Sequence, residues 1–133
     1  MLENLDLVRS IFAGWERGDF NKTDWAHPDL ELVIADGPAP GCWTGVSGMA
    51  EAWRDLLSAW EGLRSEPEEY LELDNERVLV LAHFSGRGRK SGLDLAQMSD
   101  KGAGLFHVRD GKVTRHVVYL EREHAFADLG LQE

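Results

Sequence analysis

FHVRDGKVTRHVVYL, residues 106–120, is the stretch that decides the fold. Two β-branched runs flank Arg109-Asp110-Gly111, and a short Asp-Gly turn between such runs is a strong local signal for an antiparallel hairpin. Upstream, RVLVLAHFSGR from Arg77 reads as another strand. It follows a turn at DNE (74–76), before which Leu71 and Leu73 flank Glu72. A further strand is expected from Gly92 to Val108, with a bulge or kink at Gly102 and Gly104.

The first half of the chain is mostly helical in pattern. Leu5, Val8, Ile11, Phe12 and Trp15 recur at helical spacing until Gly18 supplies a stop. One further helical turn is expected over 21–26, ended by Pro28. Leu30–Ala35 reads as a short strand, closed by Asp36 and the turn-rich GPAPG at 37–41. Ser47 then caps a second long helix whose stripe is Met49, Trp53, Leu56, Leu57 and Trp60, ending at Gly62. Residues 122–129 close the chain as a short helix. Helices first and antiparallel strands afterwards make an α+β domain, with the helices covering one face of a curved sheet.

In VLVLAHF both alternating sets are apolar: Leu79, Leu81 and His83 on one side, Val78, Val80, Ala82 and Phe84 on the other, joined by Val117 and Tyr119. Helices cover one face, so the second apolar face needs a cover of its own. The expected cover is a second copy of the chain, in a homodimer through the outer sheet face; the plainer alternative is the C-terminal tail folded over it.

Length and charge exclude much. The 133 residues fit a single domain, 1–133, with one core. Fourteen Lys and Arg against 24 Asp and Glu give a net charge of -10, the wrong sign for a nucleic-acid footprint or an anionic membrane. No apolar run reaches the about 18 residues of a membrane span. The N-terminus mixes acids into its apolar stretch, unlike a signal peptide. One cysteine, Cys42, forbids an internal disulfide and points to the reducing cytoplasm.

ERGDF at 16–20, HPDLEL at 27–32, WTG at 43–45 and the closing hairpin together resemble the nuclear transport factor 2-like superfamily, in its SnoaL-like and ketosteroid isomerase-like branch. The likeness runs from about Leu7 to Leu129. It implies a cone-shaped barrel: a strongly bent antiparallel sheet wrapped round N-terminal helices, with a deep apolar pocket at the open end and, in many members, a dimer. It implies isomerase, cyclase, dehydratase or hydrolase chemistry without a cofactor, or plain ligand binding. In the family's isomerases a general-base Asp ends the first strand, where Asp36 stands here. The oxyanion-hole Tyr falls on Ile11 and the second Asp near Gly104, so both oxyanion donors are missing.

Carried onto this chain, the family's inward positions put Leu79, Leu81, His83, Ser85 and Arg87 in the pocket from the long strand. His116, Val118 and Leu120 come from the last strand, and Ile11, Trp15 and Trp53 from the helices. The expected occupant is a small, largely apolar organic molecule, held by apolar walls and oriented by sparse polar groups. Asp36 is the expected base, with His83 and His116 as acid or orienting partners. Each has a plainer reading: Asp36 as a turn residue, the histidines as satisfied core groups, Arg87 as part of a basic hairpin tip with Arg89 and Lys90. No metal is expected. The five histidines contain no i, i+4 pair, and Glu121 with His124 supplies two ligands on one segment. GRGRKSG at 86–92 lacks the strand-to-helix setting of a phosphate loop, and GVSGM at 45–49 that of a nucleophile elbow.

Overall fold

A computed structural model describes residues 2–17, 24–36, 40–88 and 101–131, the side chains at 2–3, 56–57, 59–65 and 84–88 excepted. In chain order it contains α1 (Leu2–Glu16), β1 (Ala26–Ile34), β2 (Gly41–Thr44), α2 (Gly45–Ala59) and β3 (Trp60–Glu72). β4 (Arg77–Gly88), β5 (Gly102–Arg109), β6 (Lys112–Tyr119) and α3 (Arg122–Leu129) follow. The six strands form one curved, unclosed sheet in the order β2-β1-β6-β5-β4-β3. The hairpin expected around 109–111 joins β5 to β6. Asp110 and Gly111 take φ of 53° and 76°, the left-handed pair of a type I′ turn.

Several expected details are corrected. The sheet is mixed, because β1 runs parallel to β6. Gly41–Thr44, read as the end of a loop, is strand β2, and Ala26 opens β1 rather than closing a helical turn. α2 starts at Gly45, ahead of Ser47, and stops at Ala59, so Trp60 begins β3 instead of ending the helical stripe. Residue 87 lies inside β4 opposite Glu61, not at a hairpin tip. Residues 89–100, which include Arg89, Lys90 and the start of the expected Gly92 strand, lie outside the described residues. The irregularity in the β5–β6 ladder falls at His107/Val108, while Gly102 and Gly104 pair regularly with β4.

Register settles the two faces. Val80 lies opposite Gly104 and Gly104 opposite Val118, while Leu79 lies opposite Leu105 and Leu105 opposite Val117. Directly opposed residues share a face. Val78, Val80, Phe106, His116 and Val118 therefore face inward, against Val8, Ile11 and Phe12 of α1 and Met49 and Ala52 of α2. Leu79, Leu81, Leu105, Val117 and Tyr119 face outward. The expected inward set joined Leu79, Leu81 and His83 to His116 and Val118, which mixes the two parities. Where both faces of a strand are apolar, alternation alone carries no sign.

The outer apolar face is covered by α3. Ala125 is fully buried and Phe126 is 9% exposed against Leu81, Ala103, Leu105, Val117 and Tyr119. Burying a phenylalanine contributes about 1.5–3 kcal/mol, enough to dock a helix too short to persist alone. The expected cover of these rows was a second copy of the chain; the alternative, the C-terminal tail, is in place on them. Gly130, at φ 69°, ends the helix with its N–H bonded to Ala127 and Phe126 carbonyls.

Candidate functional site

The inner face builds its candidate site around His116. β6 delivers this residue beneath the two helices, where its side chain is buried on all sides at 2% exposure. The imidazole stacks on Phe106 at 4.1 Å and 15°, and lies 5.9 Å and 26° from Trp15. Trp53 of α2 stands 6.4 Å away. Gly104 leaves room for the ring: a Cβ there would sit 3.3 Å from His116 Nε2. This is the physical reason for a glycine in mid-strand, in place of the expected bulge.

His116 Nδ1 has no hydrogen-bond partner among the described residues. A buried polar atom in that state costs about 1–3 kcal/mol, a penalty the rest of the core must carry. Burial pushes the imidazole pKa down to about 3, so the ring is neutral at physiological pH. It offers one N–H and one lone pair and no charge. Ile11, Trp15 and Trp53 from the helices and Val118 from β6 belong to the same inner cluster, as their sequence positions suggested.

Asp36 is engaged elsewhere. Its carboxylate accepts the Leu120 N–H at Oδ1 (2.6 Å) and the Glu121 N–H at Oδ2 (3.2 Å), and pairs with His124 Nδ1 at 2.6 Å. This is the work of a turn and cap residue, performed for the start of α3 from the far end of β1. His83 lies on the outer face, where its Nε2 is 3.1 Å from Glu68 Oε2. Arg122 of α3 meets the same Glu68 oxygen at 2.8 Å and reaches the carbonyls of Gly102 and Ala82. The structure thus does not bring Asp36, His83 and His116 together around one hollow. Leu81 packs beneath α3 on the outer face, 7% exposed. The side chains of Ser85 and Arg87 lie outside the described residues.

Sequence reasoning missed Phe106 as the partner of His116: a two-residue turn at 110–111 alone sets Phe106 opposite Arg115, and the irregularity at His107/Val108 moves the pairing on by one to His116. It also paired Glu121 and His124 without their third neighbour. Asp36, Glu121 and His124 place metal-type donor atoms within 4.8 Å of one another. All three already bond to each other or to backbone, with His124 Nε2 3.3 Å from Glu121 Oε2. His107, whose face the sequence left open, is on the outer side, half-buried between Arg77 and Arg115. Burial first, then Arg115 and Arg77, lower its pKa. With Val33, Leu105, Val117 and Leu129 these residues line a shallow groove of about 260 Å³ beside α3.

Among the described residues no helix is long and apolar enough to cross a membrane. The profile of the SnoaL-like domain matches residues 8–116. Comparison with curated proteins finds no match. Among solved structures, TerC co-crystallised with polyporic acid is similar at 24% identity and a TM-score of 0.75, over 96% of this chain and 97% of the other. A protein of ketosteroid isomerase-like fold from Catenulispora acidiphila, in complex with trimethylamine, aligns at 14% identity and a TM-score of 0.67, over 95% and 93%. A putative polyketide cyclase from Sinorhizobium meliloti aligns at 23% identity and a TM-score of 0.61, over 85% and 93%. At these identities the likeness is one of fold.

Proposed function

The chain belongs to the SnoaL-like domain family, and from that premise we propose that it binds a small, largely apolar organic molecule between the helices and the inner sheet face. The carrying observation is His116, fully buried with an Nδ1 that finds no partner among the described residues, inside an otherwise aromatic and aliphatic interior. Aromatic rings supply contact area, and one neutral imidazole supplies orientation. A carbonyl or hydroxyl on the ligand recovers the hydrogen bond that the protein alone leaves unmade. Two structural relatives crystallised with small organic molecules, polyporic acid and trimethylamine, support this reading. The single, exposed Cys42 fits a reducing compartment such as the cytoplasm.

Cofactor-independent acid–base catalysis of the isomerase, cyclase, dehydratase or hydrolase type is the second reading, favoured by the putative polyketide cyclase among similar folds. In it, neutral His116 acts as the N–H donor that polarises a carbonyl, and Asp36 serves as base only after releasing the Leu120 and Glu121 N–H groups and His124, while His83 stays on the far side of the sheet. Self-association through the outer face belongs to either reading. With α3 already on the apolar rows, a second copy meets the end bearing Glu31, Arg77, His107 and Arg115.

Quenching of the Trp15 and Trp53 fluorescence by naphthalene and by 1-naphthol, which differ by one hydroxyl, tests the binding reading. The wild type is expected to prefer the hydroxylated ligand by about tenfold. His116→Phe should erase that preference, because it removes the hydrogen-bonding nitrogens while keeping an aromatic ring in place. Equal affinities in the wild type, or a preference untouched by the substitution, would overturn the assignment.

A further inference from the structure

We propose that α3 is a pH-sensitive latch over the outer sheet face, fastened by the Asp36–His124 pair and loosened when His124 gives up its proton. An isolated helix of eight residues has no stability of its own. Glu121, at its N-cap, makes no side-chain cap. Instead the Asp36 carboxylate, 85 positions upstream of Glu121, accepts the N–H groups of Glu121 itself and of Leu120 before it, so the tie is between the end of β1 and the start of α3. Apolar hold comes from Ala125 and Phe126, with Leu129 part-buried beside them. Apolar burial docks the helix, and the polar contacts at its first turn set how tightly that end is tied to the sheet.

Those contacts divide into a fixed and a titrating half. On the β3–β5 side Arg122 binds Glu68 and the carbonyls of Gly102 and Ala82, and a guanidinium keeps its charge throughout the physiological range. On the β1 side the Asp36 side chain is 11% exposed, while that of His124 is 53% exposed and exchanges protons with solvent freely. The groups facing His124 are carboxylates: Asp36 from the end of β1, and Glu121 and Asp128 from α3 itself, Asp128 also accepting the Tyr119 hydroxyl of β6. The hydrogen bond to Asp36, opposed by burial and helped by the other acids, holds the His124 pKa above its ordinary value. A histidine raised in the folded state contributes its full stabilisation below the unfolded value near 6.5, and loses it as pH climbs through the raised one. The latch is therefore fast in mild acid and slack in mild alkali, with Arg122 keeping the helix near the sheet throughout.

Hydrogen–deuterium exchange of the segment 117–131 in the whole chain, at about pH 5.5 and about pH 8.5 with intrinsic rates corrected, tests this. The wild type is expected to show lower α3 protection at the higher pH, where His124 has given up its proton. His124→Gln should show the lower protection at both pH values. His83→Gln, which alters the other titratable contact near Arg122, should keep the wild-type response. Equal protection at the two pH values, a response that survives in His124→Gln, or one abolished by His83→Gln would overturn the latch.

Discussion

His116 and His124 stand on opposite sides of one sheet and obey opposite rules. His116 is sealed beneath two helices against Phe106 and Trp15, and its Nδ1 has no partner among the described residues. Its proton is driven off, to a pKa of about 3. His124 lies half in water with Asp36 at 2.6 Å, and its proton is held. Desolvation decides the first case and a carboxylate neighbour the second. A buried group without a partner is a standing cost, retained where binding needs it. An exposed group with a partner is inexpensive fastening. The contrast assigns the ligand reading to the inner face and the mechanical one to the outer.

The largest test of the contrast is acid stability. Because the folded-state pKa of His116 lies below its unfolded value of 6.5, its neutral burial is tolerated above pH 6.5 and increasingly opposed as pH falls toward 3. The wild type should lose up to about 1.4 kcal/mol for each pH unit across that window, beyond what the carboxylates contribute. Urea unfolding of wild type and His116→Phe at matched pH isolates the difference. The two curves should converge near neutrality, apart from a constant offset, and diverge in acid. Parallel curves would mean that the ring takes up its proton without unfolding the protein.

Gly104→Ala is the next step down in size. The new methyl would meet His116 Nε2 at 3.3 Å, a contact that requires the ring or the strand to yield by a few tenths of an ångström. The ring has little room, since it is stacked on Phe106 at 4.1 Å. A loss of about 1–3 kcal/mol is expected from overpacking, measured by chemical unfolding. In a His116→Ala background the same substitution should cost far less, because the obstructing ring is gone. An additive double mutant would show that Gly104 serves the backbone and not the histidine.

The legibility of this molecule in its sequence follows the same division. The hairpin at 109–111 was readable because Asp-Gly demands positive φ at two adjacent positions, a local requirement met in place. α1 was readable from the spacing of Val8, Ile11 and Phe12, all buried. The faces of β4 were not, because Val78–Phe84 is apolar on both sides and only pairing with β5 assigns Leu81 to α3 and Val80 to the helices. That one parity carried His83 to the wrong side of the sheet. The family's inward positions, carried onto this chain, meet the inner face at His116 and Val118 of β6 but not at Leu81 or His83 of β4. The job of Asp36 lay beyond local patterns, since its partners are 84 to 88 positions away.

His107 supplies the third case, and the smallest expected shift. It shares the outer face with the latch, is half-buried, and has cations where His124 has carboxylates. Burial is the largest cause of its lowered pKa, Arg115 and Arg77 come next, and Asp74 and Glu76 oppose them. Arg115→Gln removes one repulsive charge and leaves the burial intact. Proton NMR titration of the ring should therefore show the midpoint rising part of the way toward 6.5 without reaching it. A full return would make the arginine, and not desolvation, the main cause. An unmoved midpoint would show that Glu31, 3.7 Å from Arg115, already neutralises that charge. The intermediate result fits one rule for all three rings: burial sets the sign when no carboxylate is near, and a carboxylate within hydrogen-bond reach reverses it.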